Sequence, residues 1–152
     1  MTTHSQRMNT YQVDPKSLKA VMAMQRYVDE SGLEPLLGEL VKIRASQVNG
    51  CAYCLDMHLR DARKLGEDQR RLDILSAWRE APDFFTDRER AAIAFTESVT
   101  LVSAGGVPDA VWQDVSAHFS EEEIVHLLMA INTINVWNRI AIATHQSLPD
   151  LG

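Results

Sequence analysis

The chain has 152 residues, enough for one domain that buries a real core without disulfide or metal staples. Apolar residues make up 45% and charged residues 24%, an ordinary globular balance. The formal net charge of -6, with no Lys/Arg cluster set against it, argues against a nucleic-acid or anionic-membrane partner.

In chain order, residues 1–10 are polar and read as a disordered lead in which Met8 is a possible start, followed by one helical domain over 11–150. The lead has no apolar core of a secretory signal, so a cytoplasmic location is expected. Asp14-Pro15 is an N-cap followed by proline at the first helical position. Leu18, Val21, Met22, Gln25 and Val28 then recur at helical spacing until Ser31-Gly32. Glu34-Pro35 restarts the pattern, with Leu36, Leu37, Leu40, Val41 and Val48 on its apolar side, and Asn49-Gly50 marks its C-terminus. A third helix is predicted from about Cys51 to Leu65, ending at Gly66, and a fourth from about Asp68 to Trp78 before Ala81-Pro82.

Thr86-Asp87-Arg88-Glu89 is a capping box opening a helix to about Val102. Gly105-Gly106 is a turn, and Pro108 begins a short helix to about Phe119. Ser120 through Glu123 form a second capping box, opening a long apolar helix to about Gln146. That last helix is no membrane span, because His126, Asn132, Asn135, Asn138 and Arg139 interrupt it. No alternating β-branched runs compete, so the expected fold is an all-α, single-domain bundle of six or seven helices.

The cysteine content carries the first functional signal. There are two, Cys51 and Cys54, and His58 follows one helical turn later. These offsets place all three on one stripe of a helix. An i, i+3 pair near a helix start can meet disulfide geometry, which needs Cα atoms roughly 4.4 to 6.8 Å apart. The preceding Asn49-Gly50 puts both thiols in the first turns, where free N–H groups and the positive dipole end favour a thiolate. On that ground Cys51 is the more activated sulfur. Leu55, Leu59, Ala62 and Leu65 share the stripe, so the motif faces inward. Glu39 lies twelve residues before Cys51. Only a sharp break at Asn49-Gly50 folds its helix back and brings the carboxylate near the thiols.

Glu39 followed by Cys51-x-x-Cys54-x-x-x-His58 resembles the core signature of the AhpD-like (alkylhydroperoxidase, carboxymuconolactone decarboxylase-like) family, in its CxxC-containing branch. Asp73 through Trp78 and Asn135 through Arg139 extend the resemblance over most of the chain. It implies an all-α fold assembled as a homotrimer or homohexamer, with no metal or flavin cofactor. It also implies a thiol-dependent peroxidase acting on hydrogen peroxide or a small organic hydroperoxide. In that reading Cys54 is the peroxidatic thiol and Cys51 the resolving one, while Glu39 and His58 relay protons. An external dithiol or a thioredoxin-like protein reduces the resulting disulfide. Tyr53 stands between the cysteines where well-studied members carry histidine. True decarboxylases of the family lack the cysteine pair, so decarboxylation is a poor reading here.

Two alternatives stay open: a redox-sensing oligomeric protein without efficient turnover, and zinc held by the two thiolates with one imidazole and one carboxylate. Against zinc, no second cysteine or histidine pair exists. Tyr53, Trp137, Asn138 and Arg139 are candidates for the pocket wall. Buried hydrogen bonding is the plainer role for Asn132, Asn135, Asn138 and Arg139. Trp78, Trp112 and Trp137 read as core or interface anchors.

Overall fold

The computed structural model describes residues 5–149. It is all-α, as expected. Among the described residues it contains eight α-helices and three short 3-10 turns, with no strand. The helices are α1 (Thr10–Val13), α2 (Pro15–Glu30), α3 (Pro35–Asn49), α4 (Ala52–Lys64), α5 (Gln69–Ile74), α6 (Asp87–Thr100), α7 (Asp109–His118) and α8 (Glu121–Thr144).

Local chemistry sets most of these ends. Asp14 accepts the Lys16 amide at 3.0 Å with Pro15 at the first helical position. Both capping boxes close: Thr86 and Ser120 each accept the amide of a glutamate three residues on, and each glutamate accepts the capping residue's amide in return. The expected helix around Asp68 to Trp78 is two pieces. After α5 the chain tightens into a 3-10 turn, Leu75–Glu80, in which Ala77 leaves helical geometry at φ -115°, ψ 27°. The helix from Thr86 stops at Thr100, and Val102–Ala104 forms its own 3-10 turn.

The reading of residues 1–10 as a lead falls partly on residues 1–4, outside the described residues, as does residue 150 at the other end. From residue 5 onward the segment lies along the end of α8. The Arg7 amide donates to the Thr144 carbonyl at 2.8 Å and its guanidinium to that of Ala143 at 3.1 Å. Asn9 then caps α1, a single turn that the sequence pattern did not predict, by accepting the amides of Tyr11 and Gln12.

Helix α8 is the central element and packs on α2, α3, α4, α6 and α7. It buries Ile124, Leu127, Ile131, Ile134 and Ala141, residues spread around much of its circumference. One apolar cluster joins α3, α6, α7 and α8 through Val41, Phe95, Val115 and Leu127. A second, around Leu40, Ile43, Leu75 and Ile93, lies under the 3-10 segment. A third brings Ala45, Cys51, Cys54, Ile134 and Ala141 together. Trp78 is buried, with its indole N–H on Glu97 at 2.8 Å, whereas Trp112 is half exposed and is no core anchor.

The polar residues interrupting α8 divide by face. Asn135 and Asn138 are buried, while Asn132 and Arg139 are exposed. The Asn49 amide donates to both buried asparagines, at 3.0 and 2.9 Å. Asn138 donates to Ser46 Oγ at 3.0 Å, and Asn135 to Thr100 Oγ1 at 3.0 Å. This clamp ties the last turn of α3 to α8 directly before the chain reverses. Such a network stabilises only while every member is satisfied.

The reversal itself is Gly50, at φ 71°, ψ 37°. A Cβ added there would meet nothing within 4 Å, so the requirement is the left-handed backbone and not space. Gly50→Ala should therefore lower stability by about 1 kcal/mol, with Gly50→Asn closer to the parent protein. Urea denaturation measures both; an alanine variant as stable as the parent would show that the turn relaxes freely.

Candidate active site

Two elements, α3 and α4, converge below the Gly50 turn. Cys51 is the N-cap of α4, in extended geometry at φ -89°, ψ 98°. Cys54 sits in the first turn and His58 one turn beyond, both on the buried side. Glu39, on α3, is buried against them although it precedes His58 by 19 residues. His58 Nδ1 lies 2.9 Å from Glu39 Oε2, and Lys42 Nζ donates to Glu39 Oε1 at 2.9 Å. Burial alone would raise the Glu39 carboxyl, but the hydrogen bonds and charges of His58 and Lys42 outweigh it and hold the carboxyl below its ordinary value. With Glu39 ionised, His58 Nδ1–H donates to it, and Nε2 is the ring nitrogen left for proton exchange.

Both cysteines are free, 1% exposed, and their sulfurs are 2.9 Å apart. That spacing lets the reduced pair share one proton. The Cys51 thiol is lowered to about 7. The main cause is the hydrogen bond from Cys54; burial opposes it, and the Cys54 amide, the Asn138 side chain and the Tyr53 amide assist. Cys54 is pushed well up, by its bond to Cys51, by burial and by the like charge beside it. Ionisation of the pair is thus favoured at Cys51, with the Cys54 thiol as its hydrogen-bond donor. Asn138, part of the asparagine clamp, reaches both sulfurs.

The pair lies between two cavities. Cys54 opens on one of about 390 Å³, which it shares with Glu39, His58, Tyr53, Trp137 and Tyr11. Cys51 opens on another of about 460 Å³, bounded by Ala52, Ile142, His145 and Leu148. Tyr53 borders both. Of the pocket residues expected from sequence, Tyr53 and Trp137 line the Cys54 cavity and Asn138 touches the sulfurs. Arg139 does neither; its guanidinium turns to Asn135 Oδ1 at 2.8 Å. Among the described residues no group of three or more His, Cys, Asp or Glu side chains is arranged to hold a metal ion.

Sequence reasoning missed Tyr11, Gln25, Lys42 and Met57, all on the Cys54 cavity. Lys42 had a local signal, its position one turn after Glu39. Gln25 had none: its contact with the Trp137 indole N–H, at 3.0 Å, crosses 112 residues. Burial, with Tyr53 and Cys54 nearby, pushes the Tyr11 phenol up and keeps it neutral.

The sequence model of the carboxymuconolactone decarboxylase family matches residues 15–98. The uncharacterized protein YdfG of Bacillus subtilis is 45% identical over 139 residues, 91% of this chain and 94% of that protein. A crystal structure from Agrobacterium tumefaciens, of a protein of unknown function described as a candidate antioxidant defence protein AhpD, superposes with a TM-score of 0.92 at 42% identity. It covers 96% of this chain and 99% of its own. An uncharacterized peroxidase-related protein from Silicibacter has a TM-score of 0.79 at 28% identity, covering 93% and 74% of the two chains. Among the described residues no helix is long and apolar enough to cross a membrane.

The shared proton makes a prediction. Thiolate absorbance should titrate as one group per chain with a midpoint near pH 7, protonated below it and ionised above. Cys54→Ala removes the chief stabiliser, so the midpoint should move upward. A midpoint that stays near 7 would assign the effect to the helix terminus alone.

Proposed function

The chain belongs to the carboxymuconolactone decarboxylase family, and from its site we propose that it is a thiol-dependent peroxidase reducing hydrogen peroxide or small organic hydroperoxides through a Cys51–Cys54 disulfide cycle. The observation that carries this reading is the dithiol beside a buried imidazole–carboxylate pair, with Cys54, His58 and Glu39 on one cavity. The AhpD-type and peroxidase-related descriptions of its structural relatives support it.

Cys54 faces the proton-handling pair and is the attacking sulfur in this reading. His58 Nε2 takes the Cys54 proton as the sulfur attacks the terminal peroxide oxygen, and Glu39 stabilises the imidazolium. The O–O bond breaks, giving a sulfenic acid on Cys54 and an alkoxide that takes the proton from His58 and leaves as the alcohol. The Cys51 thiolate then attacks the Cys54 sulfur, expelling hydroxide, which picks up a proton as water. Two electrons have moved from the thiol pair to the peroxide, and an external dithiol returns them by exchange. The low Cys51 pKa fits this order because the resolving sulfur is ionised before it is needed.

One observation favours a second assignment. The Cys51 thiol is the one lowered and has a cavity of its own, so attack by Cys51 with Cys54 resolving is the alternative. Single-turnover labelling with a sulfenic-acid probe separates them. Cys51→Ser should accumulate a sulfenate on Cys54, and Cys54→Ser should lose peroxide consumption to background. A sulfenate on Cys51 in Cys54→Ser at the parent rate would reverse the roles. No peroxide consumption by the reduced parent protein, with the disulfide altering only its assembly state, would instead favour the redox sensor. In steady state with a dithiol reductant, His58→Ala should slow turnover on the order of 100-fold, the usual reach of one proton-transfer group. Under tenfold would leave His58 structural.

A further inference from the structure

The Cys54 cavity is far larger than a peroxide group requires. A water-sized molecule takes roughly 30 Å³, against about 390 Å³ here. Two parts of its lining differ in kind. Helices α3 and α4 contribute Glu39, Lys42, Cys54 and His58; α1 and α8 contribute Tyr11 and Trp137. The first group does the proposed chemistry, and the second has no part in it.

We propose that this second wall, Tyr11 with Trp137, is a subsite for the planar, uncharged organic body of a hydroperoxide, and that Tyr11 determines that preference. The proposal rests on the peroxidase reading for the identity of the reacting group, not for the existence of the subsite.

Three features carry it. The Trp137 indole N–H is engaged by Gln25 Oε1 at 3.0 Å, which fixes the ring and spends its one donor. Trp137 therefore offers the cavity an apolar surface. Tyr11 stands edge-on to it, with ring centroids 6.3 Å apart and planes at 71°. Two rings at a fixed corner favour a third flat ring over a branched or charged group. The turn that carries Tyr11 is held at its start, by the Asn9 cap and by the bonds from Arg7 to the last carbonyls of α8. It is a built wall and not a loose strand of chain.

Charge around the cavity points the same way. Lys42 and Glu39 neutralise each other at 2.9 Å, and Asp61, the other carboxylate on the lining, is paired with Lys64 at 3.1 Å. A charged substrate would have to compete with these existing pairs for a counter-ion, whereas a neutral ring needs none. The family match spans residues 15–98 and so includes all four reacting side chains, but neither Tyr11 nor Trp137. Chemistry and selectivity are carried by separate parts of the chain.

The test compares cumene hydroperoxide with tert-butyl hydroperoxide, which differ by a phenyl in place of a methyl group. The parent protein should favour the phenyl compound in kcat/KM. In Tyr11→Ala that preference should fall on the order of fivefold, the scale of losing a ring-to-ring contact, chiefly through KM, while Tyr11→Phe keeps most of it. An equal loss on both substrates, the mark of a merely structural role, would overturn the proposal. A second readout needs no turnover: 2-phenyl-2-propanol should bind the reduced protein in saturation-transfer NMR, against tert-butanol as control, and Tyr11→Ala should weaken it. Binding of the phenyl alcohol without any peroxide turnover would uphold the subsite and remove the peroxidase reading. Turnover with neither phenyl preference nor alcohol binding would do the reverse.

Discussion

The site depends on one contact, the hydrogen bond between His58 Nδ1 and Glu39 Oε2. Its partners belong to successive helices, and on a continuous helix they could not meet. A left-handed residue at Gly50 makes the meeting possible, and the asparagine clamp fixes the angle at which it occurs. Burying a carboxylate is costly unless its oxygens are satisfied. Here each oxygen has a partner, Lys42 on one and His58 on the other. The same clamp reaches onward through Asn138 to the sulfurs, so backbone reversal, acid placement and thiol electrostatics form one cooperative unit.

The asymmetry of the two thiols has a similarly local origin. Both are buried to the same degree, yet Cys51 occupies the N-cap, where backbone amides converge, and Cys54 lies a turn inside. A single negative charge is tolerated at the pair, and a second is opposed by the first. Sulfur positions alone would not distinguish the residues. Their place relative to the end of α4 does.

Much of this was legible in the residues. Asp14-Pro15, the two capping boxes and Asn49-Gly50 are short-range signals, and each produced the predicted boundary to within a residue or two. The convergence of Glu39, the cysteines and His58 was legible because their spacing encodes a helix, a break and a helix. Signals without local encoding were lost. The unwinding at Ala77 and the exposure of Trp112 are decided by tertiary packing, which overrides propensity. Arg139 was misplaced for a related reason: on a central helix, position along the chain does not say which neighbour a side chain meets. Tyr11 and Gln25 meet Trp137 across more than a hundred residues, where no periodicity connects them.

Proton sharing between the sulfurs also sets how the couple responds to acidity. Below neutrality, opening the disulfide consumes two electrons and two protons, so its midpoint potential should fall by about 59 mV for each pH unit. Above about 7, where Cys51 stays ionised, only one proton accompanies the two electrons, and the slope halves to about 30 mV. An alkaline shift would therefore raise the reducing strength of the pair less steeply than that of an ordinary dithiol whose sulfurs both remain protonated there.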